Sequence, residues 1–358
     1  MNSELAAAEE ASGATFDAAG DRRLPRSFGT LVGECEAVRR RCGLFDAGFR
    51  SLWRLNGGDR TTFLQGMVTN DVAKLASGAG TYAALLTIQG RVVSDMRIFA
   101  LEEELWLDVP TSHAAAVRES LEKFIIADDV EFAEGDDWSP LLVVEGPQAD
   151  RVALAVLGES FADLAPFAQR SAGFEGSEVR VAAVTHTGER GYLVVGPATA
   201  AATLWKHFCA AGVEPVGMAA LDVLRVEAGI PWMGRDMDES TIVSEVGLDA
   251  AISFQKGCYL GQEVVERVAA RGQVQRKLVG LQWDGDQPAP AQAKIWHADK
   301  EVGWITSAVF SPTLGRSLAL GYLRREAWDE SVELRVVWDG ASVAAGVTSL
   351  PFYRPAAN

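Results

Sequence analysis

Apolar residues first fall at helical spacing at Phe63, Leu64, Met67 and Val68, between Gly57-Gly58-Asp59 and Asn70-Asp71. That spacing predicts a helix with Asp59 at its N-cap. The runs 82–88 and 92–99 read as two strands of a hairpin about the turn Gln89-Gly90. Further helices are predicted at 114–124, 150–157 and 200–211, the last closed by Gly212, with strands at 179–184 and 192–195. Short strands mixed with helices, without regular strand–helix–strand units, predict an α+β body.

Beyond about Arg276 the texture changes. Val332, Leu334 and Val336 alternate with Glu333 and Arg335, as a half-buried strand requires. Short apolar runs at 278–283, 294–296, 303–308 and 318–323 are separated by Pro, Gly and Asp. This pattern predicts a small antiparallel β-barrel or sandwich.

With 358 residues, the chain is too long for one ordinary core, and two or three domains are expected. Its net charge of −16 opposes long-range attraction to polyanions, so direct DNA binding is not expected. The Ala- and Glu-rich start, 1–25, lacks the basic and apolar regions of a signal peptide and reads as a flexible acidic tail. No apolar run reaches the roughly 18 residues of a membrane span. The cysteines Cys35, Cys42, Cys209 and Cys258 are scattered, which fits a reducing compartment and a cytoplasmic location. Neither they nor the dispersed histidines show a metal-ligand spacing, and no bound metal is expected.

The most informative segment is Lys256-Gly257-Cys258-Tyr259-Leu260-Gly261-Gln262-Glu263. Leu260, Val264 and Val268 place a helix start near Gly261, and the flanking glycines permit unusual backbone angles and close approach. A cysteine just ahead of a helix and two residues from a lysine sits where its thiolate is favoured, so Cys258 is a candidate reactive thiol. The alternative is a small residue buried in a tight turn. On the predicted helix before Gly229, Arg225 lies beside the apolar stripe Leu221, Leu224 and Ala228; it needs an internal acid or an anionic or planar ligand. The locally basic run 266–277 reads either as a solvated face or as an attractor of an acidic group.

The octapeptide resembles the K-G-C-Y-[ILT]-G-Q-E signature of YgfZ-type proteins, relatives of the glycine-cleavage T-protein (aminomethyltransferase). Gly43-Leu44-Phe45-Asp46, Thr187-Gly188-Glu189-Arg190-Gly191-Tyr192, Leu224-Arg225-Val226-Glu227-Ala228-Gly229-Ile230-Pro231 and Gly303-Trp304-Ile305-Thr306-Ser307 resemble further landmarks of that superfamily. The resemblance implies a three-domain cloverleaf around a central folate site, ending in an antiparallel barrel. The expected division is a tail at 1–25, a first unit at 26–60 plus 138–250, a second at 61–137, a signature segment and linker at 251–276, and the barrel at 277–358.

It further implies tetrahydrofolate as the cofactor. Asp95, Glu189, Arg225, Trp232, Lys256 and Tyr259 become candidates for holding it, and Cys258 and Asp95 candidates for chemistry. The implied function is support of iron–sulfur cluster assembly or repair on client proteins, and thereby of tRNA modification. The alternative is a folate-dependent aminomethyltransferase; a folate-free scaffold is a third possibility. In aminomethyltransferases two acids follow the glycine turn, whereas here Ser94 precedes Asp95. Leu193 also stands where that family's longer T-G-E-D-G-x-E pattern ends in Glu. Both departures weigh against transfer chemistry.

Overall fold

The computed structural model describes residues 3–16, 23–133, 138–272 and 274–356. Three sheets organise them. A six-stranded sheet runs in the order Gln169–Phe174, Ser177–Ala183, Gly191–Pro197, Trp138–Glu145, Gly43–Asp46 and Glu214–Pro215. A five-stranded antiparallel sheet runs Gly80–Leu86, Val92–Ala100, Leu105–Pro110, Arg50–Asn56 and Glu131–Phe132. The third closes into a barrel of Arg276–Trp283, Arg316–Arg324, Lys300–Ser311, Lys294–His297, Leu334–Trp338 and Ala341–Thr348. The α+β architecture with its terminal barrel is the one the sequence pattern predicts.

Both faces of the first two sheets are buried, and strand alternation divides each between an outer and a central layer. In the six-stranded sheet, Leu142, Val144, Val181, Tyr192 and Val194 face outward under the helices Ala149–Leu157 and Ala201–Ala210. Val143, Ala182, Leu193 and Val195 face the centre. In the second sheet, Leu85, Met96, Ile98 and Leu107 pack beneath Arg60–Met67 and Ala114–Glu122, while Leu86, Phe99 and Trp106 face the centre. The barrel contributes Leu278, Leu318, Leu320 and Tyr322 to this central cluster and fills its own interior with Leu281, Ile295, Ile305 and Val336. The helix Met218–Glu227 runs through the shared core. The middle of the molecule is therefore where three units meet.

Several expectations change. The N-terminal segment is not a tail along its described length. Ser3–Ala11 is a helix that buries Leu5 and Ala8 against the outer core, Trp205 Nε1 donates to Ser12 Oγ at 3.1 Å, and Thr15–Phe16 pairs with Pro25–Ser27. Residues 1, 2 and 17–22 of the expected tail lie outside the described residues. The helix was hard to read because its buried side carries the charged Glu9 beside Leu5 and Ala8. The strand Arg50–Asn56, expected in the first unit, pairs with Leu105–Pro110 in the second sheet. Asp59 does stand at the N-cap, but its carboxylate accepts from Asp129 N–H at 2.9 Å and caps no helix N–H. No helix of the described residues is long and apolar enough to cross a membrane.

The signature segment forms the bracket between the barrel and the second sheet. Lys256 Nζ donates to the carbonyls of Gln65, Val68 and Asn70 at 2.6–2.8 Å; the first two belong to the end of the helix Arg60–Met67, where carbonyls lack intrahelical partners, and the third lies just beyond it. Leu260 N–H donates to Gly66 O and Ser253 N–H to Thr69 O. Gly261 then opens the helix Gln262–Arg271 with φ +80°, so close to the hairpin turn that a Cβ would meet Thr87 O at 2.5 Å. Gly257 needs no such freedom, since a Cβ there would meet nothing within 4 Å. Gly261→Ala should cost about 1–3 kcal/mol through left-handed strain and the clash with an unyielding carbonyl. Gly257→Ala should stay within roughly 0.5 kcal/mol of the parent. Paired calorimetric melts check the contrast, and equal melting temperatures would refute it.

Candidate functional site

A cavity of about 780 Å³ lies between the two sheets and the segment Gly229–Met233 that follows the central helix. That is the size of an ordinary small-molecule site, on the order of 300–1,000 Å³. Two aromatic pairs line it. Phe49 and Trp232 stack with ring centres 5.8 Å apart, and Tyr82 and Phe167 stack at 6.2 Å. Trp232 is also met by the guanidiniums of Arg225 at 5.0 Å and Arg235 at 5.8 Å. Such walls suit a flat ring system.

The polar side of the cavity begins on the strand Val92–Ala100. Leu85 pairs with Ser94 but Leu86 with Val92, leaving Val93 as an extra residue. This bulge re-aims the strand, so that Asp95 and Arg97 face the cavity while Ser94, Met96 and Ile98 do not. Tyr82 Oη donates to Asp95 Oδ2 at 3.1 Å, and the other carboxylate oxygen has no partner among the described residues. Burial, reinforced by the Asp95 charge, raises the Tyr82 phenol well above its ordinary value, which keeps it a donor.

Beside Asp95 runs a buried chain of charges. Arg50 Nε donates to Asp108 Oδ1 at 2.8 Å and Arg97 Nη1 to Asp108 Oδ2 at 2.9 Å. Burial works against the Asp108 charge, but the two guanidiniums overcome it and hold the carboxyl below the ordinary range. Arg97 Nη1 also lies 2.9 Å from His186 Nε2, whose Nδ1 lies 2.7 Å from Glu145 Oε1. An arginine can only donate, so His186 Nε2 accepts and Nδ1–H donates to Glu145: the ring is the neutral Nδ1–H tautomer. Burial first, then Arg97, push its pKa below the ordinary histidine value. Glu189 reaches the cavity from the turn after His186, where Arg39 Nη1 donates to its Oε1 at 3.0 Å. Burial raises the Glu189 carboxyl against the pull of Arg39 and of Tyr353.

The predicted site residues therefore separate into two groups. Asp95, Glu189 and Trp232 line the cavity; Arg225, Lys256, Cys258 and Tyr259 do not. Arg225 is fully buried, donating to Asp236 Oδ2 at 2.5 Å, Asp222 Oδ1 at 2.8 Å and Ser307 Oγ at 2.7 Å. Internal acids satisfy it, and it reaches the cavity only through Trp232. Lys256 is committed to three carbonyls; burial lowers it to about 8, while those acceptors favour its charged form. Tyr259 packs into the central cluster with its ring 5.2 Å from Lys256 Nζ.

Cys258 is exposed and does not border the cavity. The basic run beyond it is partly spent, with Arg267 paired to Glu263 and Arg276 to Glu245. Ser94 turns away from the cavity and donates to Asp95 O at 2.9 Å, so the missing first acid removes nothing from the cavity wall. Sequence reasoning missed Phe49, Tyr82, Arg50, Arg97, Phe167 and His186. The alternation of Asp95 with Arg97 was one available signal; the others come together only in the fold. Among the described residues no group of three His, Cys, Asp or Glu could hold a metal ion.

Comparison with known proteins identifies the family. The chain matches the GCVT N-terminal domain over residues 5–256 and the glycine cleavage T-protein C-terminal barrel domain over 276–354. The chain belongs to the glycine cleavage T-protein family. It is 32% identical to an aminomethyltransferase of Synechococcus sp. (strain RCC307), covering 91% of each chain. It is 30% identical to an aminomethyltransferase of Thermosynechococcus vestitus, covering 96% of this chain and 93% of that one. The crystal structure of glycine cleavage system aminomethyltransferase T from Bartonella henselae superposes with a TM-score of 0.89 at 27% identity, covering 98% of both.

These matches overturn the expected function. Eight relatives that share nearly the whole chain are all aminomethyltransferases, where a YgfZ-type protein supporting iron–sulfur clients was expected. The signature that suggested that branch is, in this fold, largely a structural bracket.

Lys256→Met removes the donor to three carbonyls and should destabilise the fold by about 2–4 kcal/mol. Cys258→Ser should change stability by less than roughly 0.5 kcal/mol. Denaturant titrations of both variants test this assignment, and a stability loss for the serine variant matching that of the methionine variant would overturn it.

Proposed function

We propose that the cavity binds tetrahydrofolate and that the protein is a folate-dependent aminomethyltransferase. The observation that carries this reading is the Asp95 carboxylate, held by one phenol and presented with its other oxygen free inside a cavity walled by stacked aromatic rings. The T-protein relatives, which share the fold from end to end, support it.

The residues fit the group. Phe49, Trp232, Tyr82 and Phe167 would hold its flat ring, and Asp95 and Glu189 offer acceptors for ring N–H groups. Arg50 and Arg97 offer donors for its carbonyl oxygens. Tetrahydrofolate, when bound, supplies the amine nitrogen that takes up a one-carbon unit. Asp95 stabilises positive charge beside that nitrogen and can hold the proton it loses. Tyr82 fixes one carboxylate oxygen so that the other remains aimed into the cavity. The apolar walls keep water out, which strengthens each of these interactions.

Titration calorimetry with tetrahydrofolate should give a dissociation constant in the micromolar range. The protein should also release ammonia from an aminomethylated lipoyl carrier only when tetrahydrofolate is present. Asp95→Asn should reduce kcat by about 100-fold or more while changing folate affinity by less than tenfold. Absence of turnover by the parent protein, or wild-type kcat in the asparagine variant, would reject the reading.

A further inference from the structure

The neutral His186 links the two sheets across the cavity wall. It lies in the loop after Ser177–Ala183 of the six-stranded sheet, and its Nε2 meets Arg97 Nη1 of the strand Val92–Ala100 at 2.9 Å. Glu145, at the end of Trp138–Glu145 and closed to solvent, holds the ring at its other nitrogen. Every partner of that carboxylate is a donor. It accepts from His186 N–H and Nδ1–H at 2.7 Å each, from Thr187 N–H at 3.0 Å, and from the hydroxyls of Thr187 at 2.5 Å and Thr185 at 3.4 Å. Phe49 packs nearly at right angles to the imidazole, with ring centres 5.1 Å apart. Both hydrogens of Arg97 Nη1 are thereby spent, one on His186 Nε2 and one on Asp108 Oδ2.

We propose that Glu145 and His186 are positioning residues that hold Arg97 as a fixed donor in the cavity, and that this wall selects a neutral ring carbonyl on the ligand, a 4-oxo pterin over a 4-amino one. The inference rests on the cavity binding a reduced folate, and it deepens that reading by naming the ring oxygen as the recognised group and the residues that enforce the choice.

The tautomer carries the argument. A ring with its proton on Nε2 would set a donor against the Arg97 guanidinium, and the Glu145 acceptor at Nδ1 excludes that form. Protonation of both nitrogens is opposed by burial first, then by the charges of Arg97 and Arg50, against the pull of Glu145. Arg50 and Arg97 line the cavity and can only donate, so a ligand atom that meets them must accept. Charge decides which acceptor of a folate that is. The two arginines are matched by Asp108 and Asp95, and Glu189 lines the same cavity. A carboxylate from the ligand's tail would add negative charge beside Asp95 and Glu189, whereas a ring carbonyl accepts without charge. A ring amine in the carbonyl's place would set donor against donor and leave both unpaired.

Titration calorimetry with tetrahydrofolate and with its 4-amino counterpart gives the ratio of the two affinities. His186→Phe keeps a flat ring against Phe49 and removes the acceptor. It should lower the preference for tetrahydrofolate about tenfold or more relative to the parent. His186→Gln supplies an amide whose oxygen can accept from Arg97 while its N–H donates to Glu145, and should keep the ratio within about threefold of the parent. The parent itself gives a second readout: 15N spectra of the His186 ring at neutral pH, assigned by its loss in His186→Gln, should show the proton on Nδ1. A ring protonated on Nε2, or on both nitrogens, overturns the proposal. So does an equal loss of both ligands in His186→Phe, which is what a tail carboxylate at this wall would give. Failure of the parent to bind either ligand would reject the folate reading and the ring selection with it. The selection alone fails when both ligands bind and their ratio does not respond to His186→Phe.

Discussion

Two buried arginine–carboxylate pairs hold the barrel and the first unit around the central helix. Arg39 meets Glu227 through Nε and Nη2, and Glu227 in turn accepts from Ser311 and Thr313 of the barrel. Arg225 meets Asp236, which accepts from Thr306 and Ser307 while its backbone carbonyl accepts from Tyr322. Both pairs sit on or beside the helix Met218–Glu227, and Arg225, Glu227 and Asp236 are essentially inaccessible to solvent. A buried charge is tolerated only while all its partners are in place, and deleting one costs about 3–5 kcal/mol. The pairs are therefore a constraint on geometry more than a reserve of stability. They allow one arrangement of barrel, helix and first sheet, and the cavity is what that arrangement leaves open.

The polar wall follows the same logic on a smaller scale. Arg50 and Arg97 share Asp108, and Arg97 leans on a neutral His186 that Glu145 orients. Each group is held by another that is itself held. Asp95 stands apart, restrained at one oxygen by Tyr82 alone. A site that must accept a ligand has to leave some hydrogen-bonding capacity unspent, and here it is concentrated on that carboxylate.

Much of the fold was legible because it rests on local alternation. Leu318, Leu320 and Tyr322 point one way and Ala319 and Leu323 the other, and a strand with both faces buried reads as an apolar run. The site was less legible. Asp95, Glu189 and Trp232 emerged through family likeness, but Arg225 did not belong with them: its partner Asp236 lies eleven residues on, across a turn that no periodicity describes. Lys256 misled for a different reason. Its partners are backbone carbonyls, which every residue possesses, so nothing in the side-chain pattern marks them. The N-terminal helix escaped notice because its buried residues, Leu5, Ala8 and the charged Glu9, make no apolar stripe.

The extra residue at Val93 ties these parts together. On one side of it the hairpin turn is wedged under Gly261 and Val264; on the other, Asp95 and Arg97 look inward. Shortening the strand by that single residue would force a choice. Either the turn slides out from under its glycine, or the two charged side chains rotate into the layer occupied by Met96 and Ile98. The bulge is thus a spacer of fixed length, and it makes the seating of the hairpin turn and the orientation of the cavity carboxylate a single geometric condition.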